Sequence, residues 1–288
     1  ASAASEPFVR FVAAWCKVKN ELANGTVFDT SESVLPLPHQ RYALERAMAT
    51  NDVRYMLADE VGLGKTIEAG LIIKELKTSG LIERVLVVCP KGLVTQWEAE
   101  MTEKFGERFT IISPEDYATL KKINPDQNVF TQFPLVISPM DAIKTLEQRT
   151  GWTQEKIDQY NDDRIEAVVA GGWDLIIIDE AHRVAGSTGE VARHKLGDML
   201  SKASPHLLLL TATPHSGKTE PFLRLMQLLD HNAFPNTKAV VREQVAPYII
   251  RTEKREAVDN DGKSLYKERH THLVKVERKE RHSLQREL

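Results

Sequence analysis

The chain has 288 residues, a formal net charge of −3, and 42% hydrophobic and 27% charged residues. This length and composition are typical of a soluble globular protein with one large or two small domains, and they exclude a low-complexity chain. The small net charge excludes bulk attraction to a polyanion, so we expect any nucleic acid to bind at a local site.

The cysteine and hydropathy patterns indicate a cytoplasmic protein. Its two cysteines, Cys16 and Cys89, are too few for a disulfide framework or a cysteine metal cluster. No run reaches the roughly 18 apolar residues of a membrane span, and the charges within residues 8–22 exclude a signal peptide. The chain begins at Ala1 rather than at a methionine, which indicates a trimmed sequence.

The predicted elements start with an amphipathic helix over residues 8–22, followed by a polar loop, and together they form a first segment over residues 1–34. Short apolar runs then alternate with helical stretches. The predicted strands are residues 55–58, 85–89, 135–138, 175–178 and 207–210, and the predicted helices include residues 66–77, 93–105 and 153–170. Strands apolar on both faces predict an α/β domain over residues 35–232, with a mainly parallel sheet flanked by helices. We predict charged helix and loop over residues 233–288.

A glycine-containing loop follows the first predicted strand and opens a helix, which is the context of a phosphate-binding loop. Gly62 and Gly64 would let backbone N–H groups approach phosphates. Lys65 would add a charge for the outer phosphates, and Thr66 would offer its hydroxyl to Mg²⁺. Asp59 occupies the place of the first glycine in the strict pattern, so a plain strand-to-helix turn is the alternative.

Two adjacent carboxylates, Asp179 and Glu180, follow another apolar strand. At the carboxyl end of a parallel strand, Asp179 would hold Mg²⁺ and Glu180 would polarise the water that attacks the γ-phosphate. A helix N-cap is the alternative for this pair. A third strand ends at Thr211 and Thr213, whose hydroxyls could relay the state of the γ-phosphate or simply end a strand.

The segments at residues 59–66, 179–182 and 211–214 together resemble motifs I, II and III of superfamily 2 helicases in order and spacing. The form of motif I, with its aspartate, is similar to that of Swi/Snf-type double-stranded-DNA translocases. The resemblance covers about residues 35–280. It implies a RecA-like P-loop NTPase lobe that binds ATP and Mg²⁺ and belongs to a motor that moves along duplex DNA without separating the strands.

Further segments support the same resemblance. His39 and Gln40 resemble the upstream pair whose glutamine reads adenine, and residues 89–97 and 136–139 resemble motifs Ia and Ib, which contact the DNA backbone. Residues 222–230 are similar to the helix that follows motif III. A weakened form of the family's RRTK element, which departs from it at Ile250, occupies residues 250–254.

The predicted site has four sets of residues. The catalytic set is Lys65, Asp179 and Glu180. The cofactor-binding set is Gln40, Asp59, Glu60, Gly62, Leu63, Gly64, Lys65 and Thr66, with Thr66 and Asp179 at Mg²⁺. The coupling set is His182, Thr211 and Thr213, in which His182 joins motif II to motif III by a hydrogen bond. The nucleic-acid set, implied by the resemblance, is Lys91, Gln96, Trp97 and Ser138, with a core role for Trp97 and a solvated position for Lys91 left open.

The resemblance also implies partners. Residues 60–70 are similar to the bacterial and archaeal branch with RapA-like and DISARM-type helicase-related proteins, and residues 213–217 favour a protein of antiphage defence. We expect duplex DNA, a second RecA-like lobe, and a larger defence or transcription complex as partners, and no membrane. Because the arginine-bearing motifs of the second lobe are missing, we expect this lobe alone to bind ATP weakly and to turn over far below about 1 s⁻¹.

Two other functions stay open. An RNA helicase or a restriction-type translocase of the same superfamily is distinguished by whether RNA or duplex DNA stimulates ATP hydrolysis. A nucleotide-dependent nucleic-acid-binding module without turnover is the non-enzymatic alternative, although it would have no need for the Glu180 carboxylate. A metal site at His182 and His215 is not predicted, because further ligands at suitable spacing are lacking.

Overall fold

The computed structural model describes residues 34–143, 150–151, 153–185, 191–214, 217 and 219–267, with only the backbone described at residues 191–194. The predicted helix at residues 8–22 and the predicted motif residues His215 and Ser216 lie outside the described residues. Within the described part, none of the helices is long and apolar enough to cross a membrane.

Seven parallel strands form one sheet in the order β3-β4-β2-β5-β6-β1-β7. They are β1 (Arg54–Leu57), β2 (Val85–Cys89), β3 (Thr110–Ile111), β4 (Leu135–Pro139), β5 (Leu175–Asp179), β6 (His206–Leu210) and β7 (Ile249–Ile250). The five predicted strands are confirmed to within one residue at each end. They were predictable because central parallel strands are buried on both faces and therefore apolar throughout.

Helices cover both faces of the sheet. They are α1 (Pro38–Met48), α2 (Lys65–Thr78), α3 (Val94–Phe105), α4 (Pro114–Ile123), α5 (Met140–Ile143), α6 (Gln154–Val169), α7 (Val191–Lys202), α8 (Thr219–Leu229) and α9 (Arg242–Val245). Side chains of α1, α2 and α3 form one apolar cluster with the sheet, and side chains of α5 to α8 form another on the opposite face. This arrangement confirms the predicted α/β fold with a parallel sheet between two helical layers.

The sheet extends past the predicted domain boundary at residue 232. Strand β7 pairs with β1, with Met56 opposite Ile249 and Leu57 opposite Ile250. Phe234 and Ala257 are also buried in the described part of the chain. The prediction of helix and loop alone after residue 232 is therefore wrong, because a two-residue strand is too short to show an alternating or apolar pattern.

A pair of buried carboxyl groups lies beneath the loop that connects β1 to α2. Asp59 and Glu68 are both fully buried, and with His39 they form a group whose ligand atoms lie within 4.8 Å of one another. One ring nitrogen of His39 donates to the Leu63 carbonyl at 2.9 Å, and the other, Nδ1, is without a hydrogen-bond partner among the described residues, as are Asp59 Oδ2 and both Glu68 oxygens. Three facing acceptors repel one another unless a proton is shared among them.

Burial raises the pKa of Glu68 well above its ordinary value, the nearby Asp59 carboxyl raises that pKa further, and Lys65 lowers it. Burial also raises the pKa of Asp59. A carboxyl whose pKa is raised on folding holds a proton that the unfolded chain releases. The contribution of this pair to the stability of the fold is therefore greatest below the unfolded pKa and falls as pH rises toward the folded pKa.

We predict that Glu68→Gln raises the melting temperature of the chain at pH 8 and changes it little at pH 5, because the amide supplies permanently the hydrogen that Glu68 must otherwise retain. Calorimetry resolves the difference, since about 1 kcal/mol moves the melting temperature of a domain of this size by about 2–4 °C. Glu45→Gln, at an exposed position of α1, is the control and should show no such pH dependence. A lower melting temperature for Glu68→Gln at pH 8 would contradict the shared proton.

Candidate active site

The loops that follow β1, β5 and β6 open at one edge of the sheet. Asp179, the last residue of β5, is level with Leu210 in β6, and Leu210 is level with Leu57 in β1. Because these neighbouring strands are parallel, their carboxyl ends lie side by side, and this edge is where ligands bind in open α/β sheets. The structure therefore brings together the segments predicted as motifs I, II and III.

The loop between β1 and α2 has the backbone shape that its two glycines permit. Gly62 and Gly64 have φ angles of 88° and 91°, in the left-handed region that favours glycine. A Cβ atom added to Gly64 would lie 2.7 Å from the amide nitrogen of Gln40. Gly64 is the N-cap of α2, and its carbonyl accepts hydrogen bonds from Ile67 and Glu68. The helix N-terminus thus starts directly at the loop, as an anion site requires.

Gln40 ties α1 to this loop. Its amide Nε2 donates to the Leu63 carbonyl at 3.1 Å, and its Oε1 accepts from the Leu37 N–H at 3.1 Å. Both Gln40 and Leu63 are buried. In this structure Gln40 holds the loop through its hydrogen bond to Leu63, whose side chain lies in the core. The predicted contacts of Gln40 and Leu63 with a nucleotide remain predictions.

Lys65 and Thr66 occupy the first turn of α2, and both are half-buried. The Lys65 Nζ donates to the backbone carbonyl of Asp59 at 2.8 Å, which folds the side chain across the mouth of the loop. Burial raises the pKa of Asp179, and the charge of Lys65 opposes that rise, so the two groups act on each other electrostatically. A lysine and a hydroxyl at the N-terminus of a helix provide a cation and a hard oxygen ligand at one point.

The segment after β7 lies against the outer side of the loop. Asp59 Oδ1 accepts from the Thr252 N–H at 2.7 Å, and Glu60 Oε2 accepts from the Lys254 N–H at 3.0 Å. The Tyr266 hydroxyl donates to the carbonyl of Gly62 at 3.0 Å. The carboxylates of Asp59 and Glu60 therefore bind the protein's own backbone in this structure, and the predicted contacts of these two residues with a nucleotide remain predictions. The sequence pattern indicated residues 250–254 but had no signal for Tyr266.

Asp179 is held by two donors within the protein. Its Oδ2 accepts from the indole N–H of Trp97 at 2.8 Å, and its Oδ1 accepts from the backbone N–H of Glu180 at 2.7 Å. Burial raises the pKa of Asp179, whereas these two hydrogen bonds lower it. Trp97 is 1% exposed, so the prediction that it faces DNA is wrong, and the alternative of a core position is the one observed.

Of the other three residues predicted to contact nucleic acid, one is buried and two are exposed. Ser138 is fully buried and donates to the Ile112 carbonyl at 3.0 Å, so its side chain offers nothing to DNA and that prediction is also wrong. Lys91, in the turn before α3, and Gln96, in its first turn, are exposed, and Gln96 donates to Glu100 at 2.8 Å. The position of these two side chains suits a surface contact.

Glu180 has a backbone conformation that is unusual for its residue type. Its φ of 49° makes it the one non-glycine residue with a positive φ in the described part of the chain. Such strain is typical of functional positions, where the surroundings hold the residue in place. The side chain is 36% exposed, so Glu180 can reach water while Asp179 beside it cannot do so freely.

His182 connects the carboxylates to the end of β6. Its Nδ1 lies 3.1 Å from Glu180 Oε2 and 3.2 Å from the Thr211 hydroxyl. Thr211 Oγ1 in turn accepts from the Thr213 N–H at 3.2 Å. The predicted hydrogen bond between motifs II and III is present, and a continuous path of polar contacts runs from Glu180 to Thr213. The use of this path for coupling remains a prediction.

The donor set fits Mg²⁺. Hydroxyl and carboxylate oxygens are the ligands that this hard cation prefers, and Thr66 and Asp179 supply one of each beside Lys65. Asp179 is a mostly buried carboxylate, and a bound cation would offset the free energy of burying its charge. The same edge therefore offers phosphate donors, a site for a divalent cation, and a water-accessible carboxylate in Glu180.

Comparisons with known proteins agree with this chemistry. A family model described as the SNF2-related domain matches residues 39–275. The chain is 34% identical over 209 residues to the RNA polymerase-associated protein RapA of Actinobacillus pleuropneumoniae serotype 5b (strain L20), covering 72% of the chain and 20% of the relative. It is 36% identical over 212 residues to RapA of Yersinia enterocolitica, with the same coverage. The chain thus spans about a fifth of the length of the curated relatives it matches.

Solved structures share the fold. The chain superposes on the Sulfolobus solfataricus SWI2/SNF2 ATPase core in complex with dsDNA with a TM-score of 0.59 and 18% identity, covering 77% of this chain and 45% of that one. The Sulfolobus solfataricus SWI2/SNF2 ATPase core domain gives a TM-score of 0.56 at 18% identity, covering 79% of this chain and 45% of that one. At this identity the likeness concerns the fold alone. With the family match over most of its length, the chain belongs to the SNF2-related family and is a Swi/Snf-type ATPase lobe of helicase superfamily 2.

Proposed function

We propose that the chain is the ATP-binding lobe of a motor that translocates on double-stranded DNA and hydrolyses ATP between this lobe and a second one. The observation that supports it most is the convergence of Lys65, Asp179 and Glu180 at one sheet edge in a chain of the SNF2-related family. Phosphoryl transfer needs little covalent chemistry from the protein. It depends on positioned charges and a positioned water, and these residue types supply both.

Nucleotide binding begins at the loop between β1 and α2. The N–H groups around Gly62 and Gly64, together with the N-terminus of α2, would cradle the phosphates. The Lys65 ammonium would leave the Asp59 carbonyl, 2.8 Å away, and bind the outer phosphates, because a phosphate dianion is a stronger acceptor than a neutral carbonyl. Mg²⁺, held by Thr66 and Asp179, would neutralise charge on the phosphate oxygens.

Glu180 would orient the attacking water and accept its proton. Its carboxylate is the water-accessible member of the acidic pair, while Asp179 is held by Trp97 and cannot turn toward the water. A general base of this kind contributes about 10²–10⁴ in rate. When Glu180 is drawn toward the γ-phosphate, its contact with His182 would change, and His182 would pass that change to Thr211.

DNA would bind beside the amino end of α3, through Lys91 and Gln96. The Sulfolobus solfataricus core with the same fold was solved in complex with duplex DNA, which supports DNA as the partner here. Contacts of this type reach phosphates and carry little base specificity. The second RecA-like lobe would close on the same strand and bring the arginines that stabilise the transition state.

The setting of the motor is part of the proposal. The curated relatives are named RNA polymerase-associated proteins, which favours a transcription complex as the partner. An antiphage role rests on the predicted segment 213–217, of which residues 215 and 216 lie outside the described part. Duplex DNA serves as the track in both settings.

We predict that duplex DNA stimulates ATP hydrolysis by the full-length protein at least about tenfold more than RNA of equal length does. The two nucleic acids are compared at several salt concentrations, because phosphate contacts weaken as salt rises. Greater stimulation by RNA would overturn the DNA assignment in favour of an RNA helicase. Absence of turnover with either would favour a binding module.

A second prediction concerns Glu180→Gln in the full-length protein. Turnover should fall by about 10²–10⁴, because the amide cannot accept the proton of the attacking water. Binding of a fluorescent ATP analogue should stay within about twofold, which is less than about 0.5 kcal/mol. Glu220→Gln, an exposed position on α8, is the control and should leave both values unchanged. Full turnover in Glu180→Gln would remove Glu180 from the mechanism.

A third prediction uses the two glycines that flank α2. Gly64→Ala should weaken ATP binding at least about tenfold, or about 1.4 kcal/mol, because the added Cβ would lie only 2.7 Å from the Gln40 amide nitrogen, displace that side chain and distort the loop. Gly80→Ala, which has a φ of 67° but no atom within 4 Å of the added Cβ, is the matched control. Both variants should lose about 1–2 kcal/mol of stability through the left-handed backbone. Equal ATP affinities for the two variants would contradict the role of the loop.

A further inference from the structure

The indole of Trp97 is a hydrogen-bond donor placed at the carboxylate of motif II. Trp97 lies on α3, is 1% exposed, and donates from Nε1 to Oδ2 of Asp179 at 2.8 Å across 82 residues of sequence. We propose that Trp97 is a positioning residue for Mg²⁺ binding: it fixes the orientation of the Asp179 carboxylate and links that orientation to the helix that carries the predicted DNA contacts. This inference rests on the proposed ATPase function.

The geometry of Asp179 leaves one orientation for its carboxylate. The backbone N–H of Glu180 holds Oδ1 at 2.7 Å, and Trp97 holds Oδ2 at 2.8 Å, so rotation about the Cβ–Cγ bond would break both bonds. A carboxylate has about four lone-pair positions, so two remain for a ligand or its water shell. Groups in the outer shell that orient a metal ligand in this way typically change metal affinity by about 10–100-fold when removed.

The donor cannot be replaced easily from the surroundings. Trp97 packs in the apolar cluster between the sheet and helices α1 to α3, among side chains such as Val94 and Met101. Without the indole N–H, Asp179 Oδ2 would face an apolar wall, and a charged acceptor left without a donor there is strongly unfavourable. The carboxylate would be expected to turn away from this wall toward water, and thus away from the orientation that holds Mg²⁺.

Helix α3 connects the predicted DNA contacts with the predicted Mg²⁺ ligand Asp179. Lys91 stands in the turn that leads from β2 into α3, and Gln96 directly precedes Trp97; both are exposed. Side chains one position apart on a helix point about 100° apart, so Gln96 can face the surface while Trp97 faces Asp179. A displacement of α3 on contact with DNA would therefore move the donor of the Mg²⁺ ligand. This gives a direct physical route by which DNA would raise the rate of ATP hydrolysis.

If the role of Trp97 were purely structural, another buried tryptophan would behave in the same way when it is replaced. Trp173 is the matched control for this comparison. Trp173 is 2% exposed and donates from its indole N–H to the Val168 carbonyl at 2.7 Å, just before β5 begins at Leu175. Trp173 is thus as buried as Trp97 and makes an equivalent hydrogen bond, but it lies at the other end of β5 from Asp179. Phenylalanine at either position keeps an aromatic ring and removes the donor.

The test compares Trp97→Phe with Trp173→Phe in the full-length protein. The measured quantities are the melting temperature, the affinity for a fluorescent ATP analogue with Mg²⁺ and with EDTA, and the Mg²⁺ concentration that gives half-maximal binding. We expect both variants to lose stability. We expect Trp97→Phe alone to raise the half-saturating Mg²⁺ concentration about tenfold or more, with affinity in EDTA unchanged. Equal Mg²⁺ dependence in the two variants would overturn the proposal.

A double-mutant cycle with Asp179→Asn tests whether Trp97 acts through that carboxylate. The effect of Trp97→Phe on Mg²⁺ dependence should disappear in the Asp179→Asn background, and an undiminished effect would contradict the route. If Trp97→Phe does not fold, benzothienylalanine at position 97 keeps the bicyclic shape and removes only the N–H. Because Mg²⁺-dependent binding is read without turnover, loss of hydrolysis in the unaltered protein would count against the proposed function and not against this positioning role.

Discussion

The parallel pairing of β1, β6 and β5 is the constraint on which the site depends. It sets Leu57, Leu210 and Asp179 level with one another, so that three loops far apart in sequence begin at the same edge of the sheet. A shift of one residue in either register would turn every side chain of the shifted strand to the other face. Because these strands are apolar on both faces, an alternation of apolar and polar residues does not set their register; the close packing of their side chains into the two apolar clusters does.

The site also depends on stabilising the carboxyl groups that are buried in the protein, and Asp59 and Asp179 are each paired with hydrogen-bond donors. Asp59 is buried with the backbone of Thr252 as its donor and shares a proton with Glu68 in our account. Asp179 is buried with Trp97 and the Glu180 backbone as donors. An unpaired buried charge is strongly unfavourable, so these partners decide which carboxylate stays fixed and which one is available to water. Glu180, the more exposed one, is left for chemistry.

Much of the fold was predictable from the sequence because its strands are apolar throughout and its helices follow them directly. Gly62, Gly64 and Lys65 were predictable because phosphate binding restricts both the residue types and their spacing. The motif that Trp97 resembles contacts DNA, but the burial of Trp97 depends on how α3 packs against α2 and β4, which no local pattern contains. The burial of Ser138 likewise has no local signal. Strand β7 and the contact of Tyr266 with Gly62 depend on pairings across some 200 residues, for which the sequence has no local signal.

The proposed function requires a nucleotide to bind at the edge formed by the ends of β1, β5 and β6. The direct test is an NMR experiment on the chain with labelled methyl groups, to which ATP and Mn²⁺ are added. A paramagnetic ion such as Mn²⁺ broadens the signals of nearby methyl groups. We expect the methyl signals of Ala58 and Ala181, which follow β1 and β5, to be lost. The methyl signals of Val53 and Ala203, at the opposite ends of the strands, should stay sharp. Broadening of Val53 and Ala203 instead would contradict it.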